Sequence, residues 1–192
     1  VFALNGSGPA PQNASIDEIK GAGYREYPQF TGHAVSVPGT VAGWSALLAR
    51  FGKMSLKEVL SSAVRYALEG YPVTEWIGSG WKLMESRLLR DAVDETLPKH
   101  LQRIGPSQPS GHEFLVDGKA PEVGDVVKLR TLGQTLEGIA SDGRDYIYEG
   151  EFAEKLCDYV QQYGGWMEPS DLKGFEAEWV QPIHADYHGV RL

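Results

Sequence analysis

Residues able to do chemistry are few and scattered in this chain. The five histidines are His33, His100, His112, His184 and His188. A metal ion needs ligands that converge on one point, and only His184 and His188 stand at a suggestive spacing. In extended backbone four residues span roughly 13 Å, too far to share an ion, so hydrogen-bonded or solvated rings are expected and no metal. Asp91, Asp94 and Glu95 could in principle divide acid and base roles, but their spacing is that of a solvated helix face. Cys157 is the single cysteine, which excludes an internal disulfide and reads as a small buried helix residue rather than a thiol nucleophile. No Ser-His-Asp pattern, nucleophile elbow or HExxH motif is present. The loop Asn5-Gly6-Ser7-Gly8-Pro9-Ala10-Pro11 has the glycines of a phosphate cradle. It lacks both a GxGxxG spacing and a following Lys-Ser/Thr, and so reads as a tight turn. None of these patterns calls for a cofactor.

Composition narrows the partners. The chain of 192 residues is long enough for one domain with a sizeable core, and its 42% hydrophobic and 23% charged content is that of an ordinary globular chain. A net charge of −8 and a pI near 5.1, without clustered Lys or Arg, argue against nucleic acid or an anionic membrane as partner. The apolar runs are far too short to span a bilayer. The chain opens on the apolar run Val1-Phe2-Ala3-Leu4 without an initiator methionine and closes on His188-Gly189-Val190-Arg191-Leu192, which resembles a strand entering a hairpin. A segment or processed subunit of a longer protein is the expectation, with the compartment left open.

The elements that must carry these residues are mostly helices. Ser36-Val37-Pro38-Gly39 is the joint at which extended backbone gives way to helix: Pro38 keeps Val37 extended and Gly39 frees the next position. A helix follows to Phe51 with Val41, Trp44, Leu47, Leu48 and Phe51 along one side, stopped by Gly52. Capping boxes at Ser15–Glu18 and Ser55–Glu58 open two more, the second with Val59, Leu60, Ala63, Val64 and Ala67 as its buried stripe and Gly70 and Pro72 as its end. Between the first of these and the joint, Tyr24 to Val37 is expected to be extended, with turns at Pro28 and at Thr31-Gly32. Thr74 is placed to cap a helix with Leu83, Leu88, Leu89 and Val93, followed by a surface loop over 98–111. Phe114-Leu115-Val116 with Asp117-Gly118 reads as strand and turn. A helix carrying Leu129, Leu132, Leu136 and Ile139 ends near Asp142-Gly143, and Tyr146 and Tyr148 lie in a connecting turn. The next helix, from Gly150, carries Phe152, Ala153, Leu156, Cys157 and Val160 and ends at Gly164-Gly165. A helical turn at Ser170-Asp171-Leu172 precedes paired strand from Trp179 to Tyr187. The fold class read from this is α+β, with a mainly helical part over 39–165 and a strand pair over 175–192.

Taken together, several of these stretches resemble the large-subunit core of the gamma-glutamyltransferase family, across nearly the whole chain. They are Ser36-Val37-Pro38-Gly39-Thr40-Val41-Ala42-Gly43, Arg50-Phe51-Gly52-Lys53 and Ala67-Leu68-Glu69-Gly70-Tyr71-Pro72-Val73. In the second half the same order continues with Thr135-Leu136, Ile139-Ala140, Gly143, Tyr148-Glu149-Gly150, Gly164-Gly165, Asp171-Leu172, Trp179, Pro182, Tyr187 and Gly189. Each piece is turn and cap chemistry, and their shared order and spacing carry the match.

The resemblance implies an N-terminal nucleophile hydrolase, a four-layer αββα sandwich made as a precursor that cuts itself into large and small subunits. The threonine exposed by that cut is the nucleophile and its own α-amino group the base, splitting gamma-glutamyl transfer into acylation and deacylation. No threonine of this chain sits in the family's processing motif, so no catalytic residue is assigned here. The implied partners are the rest of the precursor, including the small subunit, and a gamma-glutamyl or other amide substrate. The family's Arg-Glu-x-Ala-Pro motif, whose arginine grips the glutamyl α-carboxylate, aligns through Ala10-Pro11 so that Ser7 stands where the arginine would be. A hydroxyl cannot make the bidentate charge-assisted pair of a guanidinium. Unless an arginine elsewhere substitutes, a divergent acylase or a weak gamma-glutamyltransferase is expected. A non-catalytic helical interaction module is the alternative that the acidic composition and the missing site chemistry allow.

Overall fold

In the computed structural model, which describes residues 1–28, 31–88 and 111–191, the chain opens with the short strand β1 (Ala3–Asn5) and its glycine-rich loop. Helix α1 (Ile16–Gly21) starts at its expected cap, the Ser15 hydroxyl accepting from the Glu18 amide at 3.3 Å. A 3-10 turn over Gly32–Ala34 interrupts the extended stretch that leads to α2 (Thr40–Phe51). Helix α3 (Leu56–Glu69) carries a complete capping box: Ser55 Oγ accepts from the Glu58 amide at 3.2 Å, and Glu58 Oε2 accepts from the Ser55 amide at 2.7 Å. The Ser55 hydroxyl, donating to Glu58 Oε2 at 2.7 Å, and after it the Ser55 amide hold the Glu58 carboxyl below its ordinary range.

Strand β2 (Tyr71–Pro72) leads into α4 (Glu75–Leu88), whose Ile77 amide points to the Thr74 hydroxyl at 3.4 Å. After α5 (Gly111–Phe114), β3 (Val126–Val127) pairs antiparallel with β2, Tyr71 opposite Val127. Four helices follow: α6 (Arg130–Asp142), α7 (Asp145–Tyr148), α8 (Glu151–Gln162) and α9 (Pro169–Lys173). Strand β4 (Glu178–Val180) then returns to β1 as its antiparallel partner, with Ala3 opposite Val180 and Asn5 opposite Glu178. The last strands, β5 (Asp186–Tyr187) and β6 (Val190–Arg191), form a hairpin whose turn residues His188 and Gly189 have φ of 48° and 78°. Positive φ at both central positions is the type I′ geometry that matches strand twist.

The core lies where α2 begins and where α3, α6, α7, α8 and α9 converge. Val37, Leu60, Ile139, Tyr148, Cys157, Met167 and Leu172 are buried there together. Each large apolar side chain taken fully out of water contributes about 1.5–3 kcal/mol.

Four expectations from the sequence are corrected. On α2 only the start of the stripe, Val41, enters this core. Val41 is buried, whereas Trp44, Leu47 and Phe51 are 37%, 44% and 51% exposed, because the far half of the helix turns toward the β1–β4 ribbon. There Phe51 meets the rings of Phe2 at 5.3 Å and Trp179 at 5.6 Å. On α3 the buried stripe is narrower than expected: Leu60 and Ala67 are inside and Val64 partly so, while Val59 and Ala63 face outward. The strand expected at Phe114-Leu115-Val116 is replaced by α5 and a single bridge between Val116 and Lys119. The Asp117-Gly118 turn survives there, with φ of 50° and 74°. Tyr146 and Tyr148, expected in a turn, form the single helical turn of α7.

All of the expected loop over 98–111 except Gly111, which opens α5, lies outside the described residues, as do the carboxylates Asp91, Asp94 and Glu95, His100, and the apolar positions Leu89 and Val93. So do the side chains of Leu88 and His112. Among the described residues no helix is long and apolar enough to cross a membrane, and no three His, Cys, Asp or Glu side chains converge as metal ligands.

Candidate functional site

The loop that holds Ser7 lies directly against the joint at which α2 begins. Asn5 turns the chain through its side chain, Oδ1 accepting from the Ser7 amide at 3.0 Å, an Asx turn that leaves the Ser7 side chain exposed. The Val37 amide donates to the Pro9 carbonyl at 3.0 Å and ties the two segments together. Their backbones touch without side chains between them. A Cβ at Gly8 would stand 1.7 Å from the Val37 carbonyl oxygen, and one at Gly39 would stand 1.8 Å from the Gly6 carbonyl oxygen. Glycine is required at both places for that closeness.

The far side of the loop is anchored by Asp171 at the start of α9. Its buried carboxylate accepts from the Gln12 amide through Oδ1 and from the Glu168 amide through Oδ2, both at 2.9 Å. Burying a carboxylate is costly unless it is hydrogen-bonded, and these two amides meet that need. Asn13 Nδ2 adds a bond to Glu168 Oε1 at 3.0 Å. From the core side Tyr148 reaches the joint, donating its hydroxyl proton to the Pro38 carbonyl at 2.6 Å and accepting from the Ala42 amide at 3.1 Å.

Sequence reasoning singled out Ser7 and the Ser36–Gly39 joint separately, and the structure brings them together. It missed Asn5 and Tyr148. The Asn-Gly pair was a readable signal for the first. Nothing in the spacing of Tyr148 tells that its hydroxyl crosses to a segment more than a hundred residues earlier.

Among the described residues, other reactive groups do not gather here. His33 Nδ1 lies 3.0 Å from Thr31 Oγ1, a histidine–hydroxyl pair of the kind that activates a nucleophile. The Thr31 proton, however, goes to the Pro28 carbonyl at 3.0 Å, so the imidazole must donate rather than accept. Burial lowers the His33 pKa, with nearby Glu18 opposing, and the ring packs edge-on to Trp166 at 4.5 Å. The pair is structural. Cys157 is buried as expected, and burial, together with Asp171, Asp158 and Glu168, pushes its thiol up to about 11. At neutral pH it is the unreactive thiol. What the loop offers chemically is a neutral hydroxyl and backbone groups on a fixed frame, suited to holding a substrate group rather than attacking one.

A family profile described as Gamma-glutamyltranspeptidase matches residues 1–192. The chain belongs to the gamma-glutamyltranspeptidase family. Among curated gamma-glutamyltranspeptidase relatives, the glutathione hydrolase-like YwrD proenzyme of Bacillus subtilis is 31% identical over 192 residues, covering 100% of this chain and 33% of that protein. Among solved structures, cephalosporin acylase from Bacillus halodurans superposes with a TM-score of 0.85 at 34% identity, over 99% of this chain and 34% of the other. Gamma-glutamyltranspeptidase from Helicobacter pylori shares the fold, with a TM-score of 0.83 at 24% identity over 100% of this chain and 51% of that one. This chain therefore spans about a third of the length of the first two. The resemblance read from Ser36–Gly43 and the later motifs is borne out, and the mixed helix and strand fold is that of this family of N-terminal nucleophile hydrolases.

Proposed function

We propose that this chain is part of the large subunit of an amide-cleaving enzyme of the gamma-glutamyltranspeptidase family, one that transfers or hydrolyses a gamma-glutamyl or related acyl group. The observation that carries the proposal is the frame around Ser7, an exposed hydroxyl on a loop locked backbone to backbone against the joint of α2. Such a loop can position a substrate group but supplies no activated nucleophile. In this reading the remainder of the precursor, including the small subunit, supplies the threonine nucleophile with its own amino group as base. It also completes the strands into the four-layer αββα sandwich, with β1–β4 as part of the inner sheets.

Ser7 stands at the position of the family's carboxylate-binding arginine. A donor whose α-carboxylate must meet a hydroxyl instead of a guanidinium loses on the order of 2–5 kcal/mol in a partly desolvated site. That loss favours an acyl donor without the α-carboxylate, in keeping with the acylase among the similar structures. A non-catalytic helical module is set aside because the relatives matched along the full chain are named as a hydrolase proenzyme and an acylase.

The test is turnover. The full-length, self-processed protein should hydrolyse a gamma-glutamyl anilide or a cephalosporin amide, and the purified 192-residue chain should hydrolyse neither, since loss of a nucleophile costs several orders of magnitude in rate. Activity in the isolated chain, or none in the processed parent, would overturn the reading.

A further inference from the structure

We infer that Tyr148 is the positioning residue that sets where the Gly6-Ser7-Gly8 loop stands, an inference that rests on the proposed substrate-holding role of that loop. The starting observation is that α2 has no side-chain cap. Its N-cap is Gly39, at a position where Ser, Thr, Asp or Asn would ordinarily accept from the first-turn amides. None of them fits. A Cβ at residue 39 would lie 1.8 Å from the Gly6 carbonyl oxygen and 2.9 Å from Phe175 Cζ. Contact with the loop therefore denies the helix a cap of its own.

The missing acceptor comes from α7. The Tyr148 hydroxyl takes the Ala42 amide at 3.1 Å, the bond a cap residue would make to the third position of the helix, and gives its proton to the Pro38 carbonyl at 2.6 Å. One oxygen thus holds the chain on both sides of Gly39. Because Gly39 is pressed on Gly6 and Val37 on Gly8, any shift of the joint moves the loop with it. The ring is fixed independently of its hydroxyl, with the Arg144 guanidinium 5.1 Å from its centroid and the Phe175 ring at 5.9 Å. Arg144 is itself held by the Phe175 carbonyl at 2.8 Å. Burial raises the phenol above its usual range, so the proton that Pro38 needs is present throughout neutral pH. Removing the hydroxyl alone should free the joint and leave the packing intact.

The experiment compares Tyr148→Phe with Ile139→Val in the full-length processed enzyme, the second being a buried change in α6 that serves as a control for lost stability. Tyr148→Phe should raise KM for the acyl donor about threefold to tenfold, the value of one hydrogen bond, with kcat changed by less than about twofold. It should also speed amide hydrogen exchange over residues 5–11 and at Ala42, while Ile139→Val moves neither readout. Wild-type exchange rates over 5–11 in Tyr148→Phe, or a KM that merely follows the control, would overturn the inference. If the wild-type parent cleaves no amide, the functional reading fails, and the exchange measurement still decides whether Tyr148 governs the loop.

Discussion

The two ends of helix α2 lie in opposite surroundings, although the same apolar spacing runs from one to the other. At its start, Val41 and Ala42 are buried, Gly39 is pressed on the Ser7 loop, and Tyr148 closes the joint from the core. Toward its end Trp44, Leu47 and Phe51 are exposed, and Arg50 is sandwiched between the rings of Phe2 and Trp179 at 4.3 and 4.2 Å. The difference teaches that periodicity identifies an apolar face but not what covers it. The first end is completed by contacts within this chain. The second is a partly exposed apolar face that, among the described residues, meets the two-stranded β1–β4 ribbon through Phe51 and Arg50.

The largest effect should come from breaking the closed end. Gly39→Ala places a methyl group against the Gly6 carbonyl, and neither backbone has a flexible side chain with which to yield. We expect a loss of about 3 kcal/mol or more, the range of severe core substitutions. Chemical denaturation of the processed parent measures it. A variant as stable as wild type would show that loop and joint separate freely, and the frame around Ser7 would lose its basis.

At the open end a far smaller effect is expected. Leu47 is 44% exposed, so Leu47→Ser in the 192-residue chain should change the unfolding free energy by less than about 0.5 kcal/mol. The same substitution should reduce self-association in sedimentation, because an exposed apolar patch promotes it. A loss comparable with that of a buried leucine would mean that this face is packed within the chain, erasing the contrast.

What the sequence disclosed follows the same division. Local signals were legible: the Ser55–Glu58 capping box, the Ser15 cap, the glycine stops of α2 and α3, the Asp117-Gly118 turn and the buried Cys157 stand where residue types placed them, whereas the Glu18 carboxylate, expected to reach back to Ser15, accepts from Trp166 Nε1 instead. Such features are decided within a few residues of chain. Contacts between distant segments were not legible. The pairing of β1 with β4 joins the two ends of the chain, and Tyr148 reaches Pro38 across 110 positions. The outward turn of Trp44 and Val59 was hidden for a related reason, since a helix stripe carries no label for the partner that buries it. Of the candidate site, Ser7 was reached through the order of family motifs. Its frame of glycines, Asn5 and Tyr148 emerged only from the packing.

The most direct test of the central claim, that the locked Ser7 loop holds the acyl donor, is the donor preference of the processed full-length enzyme with and without Ser7→Arg. The exposed Ser7 side chain leaves room for the longer residue. The quantity to measure is the ratio of kcat/KM for a gamma-glutamyl anilide to that for an amide lacking the α-carboxylate. The account predicts a wild type that favours the second donor and a Ser7→Arg variant whose ratio moves toward gamma-glutamyl by about 30-fold or more, the lower bound for regaining a charged partner. Efficient glutathione hydrolysis by wild type, unchanged in Ser7→Arg, would contradict it.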